Sequence, residues 1–76
     1  ADGEREVRVA GLVKMVESMR AAQAATMVSV LEDDLAVDVL ERMNRGKAGK
    51  MLSQMDPRKA ASLAEQLTVP VLWEDS

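Results

Sequence analysis

The densest group of side chains able to do chemistry is acidic. Glu32, Asp33, Asp34 and Asp38 lie close together, and Asp34 and Asp38 are spaced i and i+4, on one face of a helix. Carboxylates are the ligands that Mg²⁺ and Ca²⁺ prefer, although the spacing is not that of an EF-hand loop. We therefore predict no metal site and no cofactor, and keep Mg²⁺ at Asp33, Asp34 and Asp38 as the alternative.

A basic group follows the acidic one in the sequence, so charge changes sign along the chain. It comprises Arg45, Lys47, Lys50, Arg58 and Lys59. Such a surface suits an acidic partner or the acidic segment of a second copy, although exposed helices also carry such charges without any function. Lys47, Lys50 and Arg58 are our candidate partner-binding residues here.

The end of the chain is a third candidate binding segment. Val71, Leu72 and Trp73 are apolar, and acidic residues follow them. A stack of helices leaves the apolar face of its last helix uncovered. These three residues are predicted either to fold back over that face or to bind a protein partner, including a second copy in a homodimer.

Composition excludes several classes of protein. The chain has no histidine and no cysteine, and it lacks a catalytic triad or a glycine-rich phosphate loop, so we predict that it is not an enzyme. Its net charge is −3 and Trp73 is its one aromatic residue, which argues against nucleic-acid binding. No apolar run reaches the roughly 18 residues of a membrane span.

The elements that position these groups follow from a repeat of twelve residues. Four apolar positions recur in every unit at i, i+3, i+4 and i+7, which is one stripe of an α-helix. The twenty positions are Leu12, Met15, Val16 and Met19; Ala24, Met27, Val28 and Leu31; Ala36, Val39, Leu40 and Met43; Ala48, Met51, Leu52 and Met55; Ala60, Leu63, Ala64 and Leu67. All six methionines belong to this stripe, and we interpret them as core residues. Gly49 follows the stripe residue Ala48, which favours close packing of a neighbouring helix there over a hinge.

One continuous helix cannot bury this stripe. Twelve residues advance about 120° beyond three full turns, so the stripe would visit three different faces. The chain must bend once per unit, and Asn44 and the Asp56-Pro57 pair are good helix-starting residues. We predict an all-α fold with helices near 8–19, 21–31, 33–43, 45–55 and 57–67. Residues 1–7 form a charged lead-in that could end an upstream coiled coil, 8–68 the repeat domain and 69–76 the tail.

The amino-acid sequence of the repeat resembles that of a known superfamily. Residues 43–55 read MNRGKAGKMLSQM and residues 56–67 read DPRKAASLAEQL. This is similar to the pattern M-x-x-x-K-A-A-x-I-L-x-x-M-D-P-x-x-A-A-x-L of the MgtE N-terminal domain superfamily. The resemblance covers residues 12–67 and implies a small right-handed superhelix.

The superfamily offers two specific functions. The member whose repeat sequence is most similar is the C-terminal domain of the flagellar motility chaperone MotE. This resemblance implies a periplasmic scaffold that assists a motor protein, with a membrane anchor outside this chain. The alternative is the cytoplasmic Mg²⁺-sensing domain of an MgtE-type magnesium transporter. A generic dimerisation module is the third hypothesis.

Overall fold

The computed structural model describes residues 2–67, and within that range the chain is helical with no strand. The prediction of an all-α fold is confirmed. Its five helices are α1 Asp2–Glu17, α2 Ala21–Ser29, α3 Asp33–Arg42, α4 Arg45–Ser53 and α5 Pro57–Leu67. None of them is both long enough and apolar enough to cross a membrane.

The junctions between helices use capping residues to different degrees. The Asn44 side chain accepts a hydrogen bond from the Lys47 amide at 3.2 Å and so caps α4. Asp56 Oδ1 accepts from the Arg58 amide at 2.8 Å, and α5 begins at Pro57. Glu32 and Arg20 precede α3 and α2 without a side-chain cap.

The first helix differs from the prediction in both its start and its buried face. It begins at Asp2, six residues before the predicted start at residue 8, so residues 2–7 belong to α1. It buries Val9, Val13 and Val16, and its Met15 is 53% exposed. Placing Met15 in the core was therefore wrong, because the buried stripe of α1 lies one turn earlier than the repeat predicts.

Each helix packs mainly on the helix two places along the chain. α1 contacts α3, α2 contacts α4, α3 contacts α5, and α4 also contacts α5. Ala24 and Ala36 are almost fully buried, as expected of small residues where helices approach closely. A right-handed winding of these helices stays a prediction.

The core is aliphatic and rich in methionine. Met43, Met51 and Met55 are buried, Met19 and Met27 pack partly buried against them, and no polar side chain is buried among the described residues. The remaining members of the core are Val9, Val13, Val16, Ala24, Ala25, Val28, Ala36, Val39, Leu40 and Leu63.

Gly49 corrects a second expectation. Its position beside Ala48 predicted that a neighbouring helix approaches it closely. A Cβ added at Gly49 would meet no atom of residues 2–67 within 4 Å, so no described helix packs closely against it. The prediction of close packing was wrong, because Gly49 faces a groove on the surface.

Candidate functional site

The acidic cluster of the sequence lies along α3 and on the residue before it. Asp33 and Asp34 occupy the first turn of this helix, where the positive end of the helix dipole stabilises carboxylates. Asp38 lies one turn after Asp34, and Glu41 follows near the helix end. We call this set the α3 acidic surface: Glu32, Asp33, Asp34, Asp38 and Glu41.

Two of these carboxylates are paired with helices on opposite sides. Lys59 Nζ of α5 lies 2.8 Å from Asp33 Oδ1, and Arg5 Nη2 of α1 lies 2.5 Å from Asp38 Oδ2. A third ion pair, between Arg42 and Glu6, also joins α3 to α1. These exposed pairs tie α3 to the two helices it packs on, although solvent screening keeps the stability that each contributes small.

The ion pairs around α3 shift the pKa values of one group on α3, Asp33, and of one group on α1, Arg5. Hydrogen bonding from Lys59 and its positive charge lower the pKa of the Asp33 carboxyl, with a smaller contribution from Gln66. The hydrogen bond to Asp38 and the charge of that carboxylate raise the pKa of Arg5. Asp33 is therefore ionised at neutral pH, and Asp33 and Asp38 each already face a cation of this chain.

The α3 acidic surface is not a complete metal site within residues 2–67. No group of three or more side chains of the metal-binding types is placed there to hold an ion. Asp33 and Asp38 turn to different cations, and Asp34 has no ion pair with a described residue. Since Mg²⁺ is often held by one or two carboxylates and its own waters, Asp34 can supply part of a site whose other ligands come from elsewhere.

The structure places two of the predicted basic residues, Lys47 and Lys50, beside each other. Lys47 and Lys50 line the same small recess beside the end of α1, where Lys47 Nζ donates to the Glu17 carbonyl oxygen at 3.2 Å. Arg58 stands on the first turn of α5 and is not among the residues lining that recess. Val71, Leu72 and Trp73 lie outside the described residues.

Sequence reasoning missed the contacts that hold the helix junctions. The Glu17 carboxylate accepts a hydrogen bond from the Asn44 amide at 2.7 Å, across two intervening helices. Sequence reasoning also missed that Lys59 and Arg5 form the ion pairs with the α3 acidic surface. The sign change along the chain was the available signal, but it does not reveal which helices are adjacent.

The fold and surface together define a small all-helical domain that carries charged surfaces and no catalytic constellation among its described residues. The sequence profile of the family described as MgtE intracellular N domain matches residues 6–70, a range that includes most of α1 and all of the other helices. The chain belongs to this family. No curated protein and no solved structure matches the chain.

This membership confirms the resemblance at the level of the superfamily. It favours the hypothesis of a transporter-associated regulatory domain over that of a flagellar chaperone. The family is not known for catalysis, in agreement with the prediction that the chain is not an enzyme. Similarity to MotE, a dimer and a flagellar partner stay predictions.

Proposed function

We propose that this chain is a non-catalytic regulatory domain of an MgtE-type magnesium transporter. The observation that carries the proposal is the family match over residues 6–70, which spans nearly the whole repeat domain. A regulatory domain must bind a regulatory ligand and contact the part of the protein that it regulates. It needs no nucleophile or general base. The charged, exposed surface of α3 is suited to both tasks.

Mg²⁺ is the signal that we propose for this surface. Asp34 is exposed at the positive end of α3, and Asp38 lies on the same face one turn further on. Arg5 already neutralises Asp38, so the ion would gain most from Asp34 and from ligands of a neighbouring domain. The domain alone is therefore expected to bind Mg²⁺ weakly, with binding tightened by the domain that completes the site.

A two-dimensional amide NMR titration tests this proposal. Mg²⁺ at millimolar levels should produce saturable shifts confined to residues 32–38, and sodium chloride at equal ionic strength should not, because screening is nonspecific. Asp34→Asn should abolish the shifts. Asp56→Asn is the matched control, since it also removes one carboxylate and asparagine caps a helix as well as aspartate does.

The outcomes are distinct. Shifts that are saturable, specific to Mg²⁺ and lost only in Asp34→Asn support a magnesium-responsive domain. A spectrum that sodium chloride changes in the same way, or that does not change at all, would contradict Mg²⁺ sensing by this surface. Only a protein-binding role would then remain.

A further inference from the structure

A groove lies between the ends of α3 and α5 and the length of α4. It encloses about 410 Å³ and is lined mainly by apolar side chains, with Arg45 and Glu41 at its edge and Gly49 on its α4 side. The apolar lining residues are Leu40, Met43, Ala48, Leu52, Ala64 and Leu67. All six are positions of the twelve-residue repeat, so the groove is formed by the stripe that is buried elsewhere in the domain.

The order of helix contacts explains why this part of the stripe is uncovered. Each helix packs on the one two places along, and α4 packs on α2 before it. The unit that would pack on α4 from the other side begins after α5, beyond residue 67. Within the described residues α4 has no such partner, and Ala48 and Leu52 are accordingly only half-buried.

We propose that the chain's own tail occupies this groove, with Leu72 and Trp73 packed against α4. Leu72 stands twelve residues after Ala60 and twenty-four after Ala48. It therefore continues the repeat into the next unit, which is the unit expected to pack on α4. Tryptophan brings a large apolar surface to such a site. The tail then takes the place of a sixth helix.

The tail has the length and charge that this position requires. Leu67 itself lines the groove, and the five residues from there to Leu72 span up to about 17 Å when extended, against a length of about 13 Å for α4. Pro70 disfavours helix at the residue before it, which lets the chain turn back. The acidic residues after Trp73 suit Arg45, which has no ion pair with a described residue.

Trp73 fluorescence in the full chain reports this contact directly, because the protein has one tryptophan and no tyrosine or phenylalanine. Gly49→Gln is the variant that fills the groove, since the space beside Gly49 is open and helix formation favours the change. Gly11→Gln is the matched control, at another helical glycine with open space beside it and away from the groove.

The expected result is a blue-shifted Trp73 emission that iodide quenches poorly in the native chain and in Gly11→Gln. Gly49→Gln should shift the emission to longer wavelength and bring quenching close to that of the urea-unfolded protein, while circular dichroism stays helical. Emission of a fully exposed tryptophan in the native chain would overturn the proposal. So would protection that Gly49→Gln leaves intact.

Dilution separates the chain's own tail from that of a second copy. Protection of Trp73 should be independent of protein concentration if the tail folds back on its own molecule. Protection that disappears on dilution would assign the groove to a second copy and overturn the proposal. The experiment contains no Mg²⁺, so its result is independent of the proposed magnesium response.

Discussion

Met15, Met27 and Met51 stand at the same position of the repeat but in different surroundings. Met51 is 1% exposed in the core, Met27 is half-buried, and Met15 is 53% exposed on α1. If the repeat alone decided burial, replacing each by alanine would cost the same free energy of unfolding. The structure predicts three different costs.

The magnitudes follow from what each side chain contacts. Met51→Ala should destabilise the domain by about 2–5 kcal/mol, the usual range for truncating a buried methionine. A domain of this length has a total stability of about 4–11 kcal/mol, so the loss would be a large part of it. Met15→Ala should stay within about 0.5 kcal/mol of the native protein. Met27→Ala should fall between the two.

Urea unfolding followed by far-UV circular dichroism measures all three variants under the same conditions. Met51→Ala should also lower the melting temperature by at least about 8 °C. Similar losses for Met15→Ala and Met51→Ala would show that α1 buries the stripe expected from the repeat, and that its placement in the structure is wrong.

Three further predictions concern the helix ends and the surface pairs. Gly49→Ala should stabilise the domain by up to about 1 kcal/mol, whereas Gly46→Ala should gain less because its Cβ would lie 3.2 Å from the Asn44 amide oxygen; urea unfolding of both variants checks this. Asn44→Ala should lower the free energy of unfolding by about 1 kcal/mol because it removes the cap of α4. Asn44→Asp should retain most of the stability that the cap contributes, and urea unfolding measures both variants. The lowered pKa of Asp33 means that its pairing stabilises the folded state above the ordinary aspartate pKa of about 3.9, and that this contribution disappears as pH falls through the lower folded value. Lys59→Met should therefore be less stable than the native protein at neutral pH, and the difference should vanish in acid; equal differences at both pH values would contradict the pairing.

The twelve-residue periodicity predicted the starts of α2, α3, α4 and α5, each of which begins at the predicted residue. Asn44 and the Asp56-Pro57 pair supply local signals for α4 and α5, whereas α2 and α3 begin without a side-chain cap and were located by the period alone. The start of α1 was not predictable in this way. Residues 2–7 have no apolar stripe, and their helix is stabilised partly by pairs that Arg5 and Glu6 form with α3.

The candidate site was predicted less completely, for a physical reason. Composition located the acids of α3, but which cations face them depends on helices being adjacent at every second place along the chain. Asp33 and Lys59 are far apart in sequence, and nothing local to either residue indicates their pairing. The groove beside Gly49 was missed for the same reason, since a glycine next to a stripe residue fits close packing as well as open space.

The packing of each helix on the second one along also determines how the domain unfolds. In most stacked repeats a terminal unit can detach while its neighbours stay folded. Here α3 contacts both α1 and α5, and it carries the ion pairs to each of them, so opening α3 removes the support of both. Amide hydrogens in these three helices should then exchange with solvent in one common opening event, rather than in a sequence that starts at the ends of the chain.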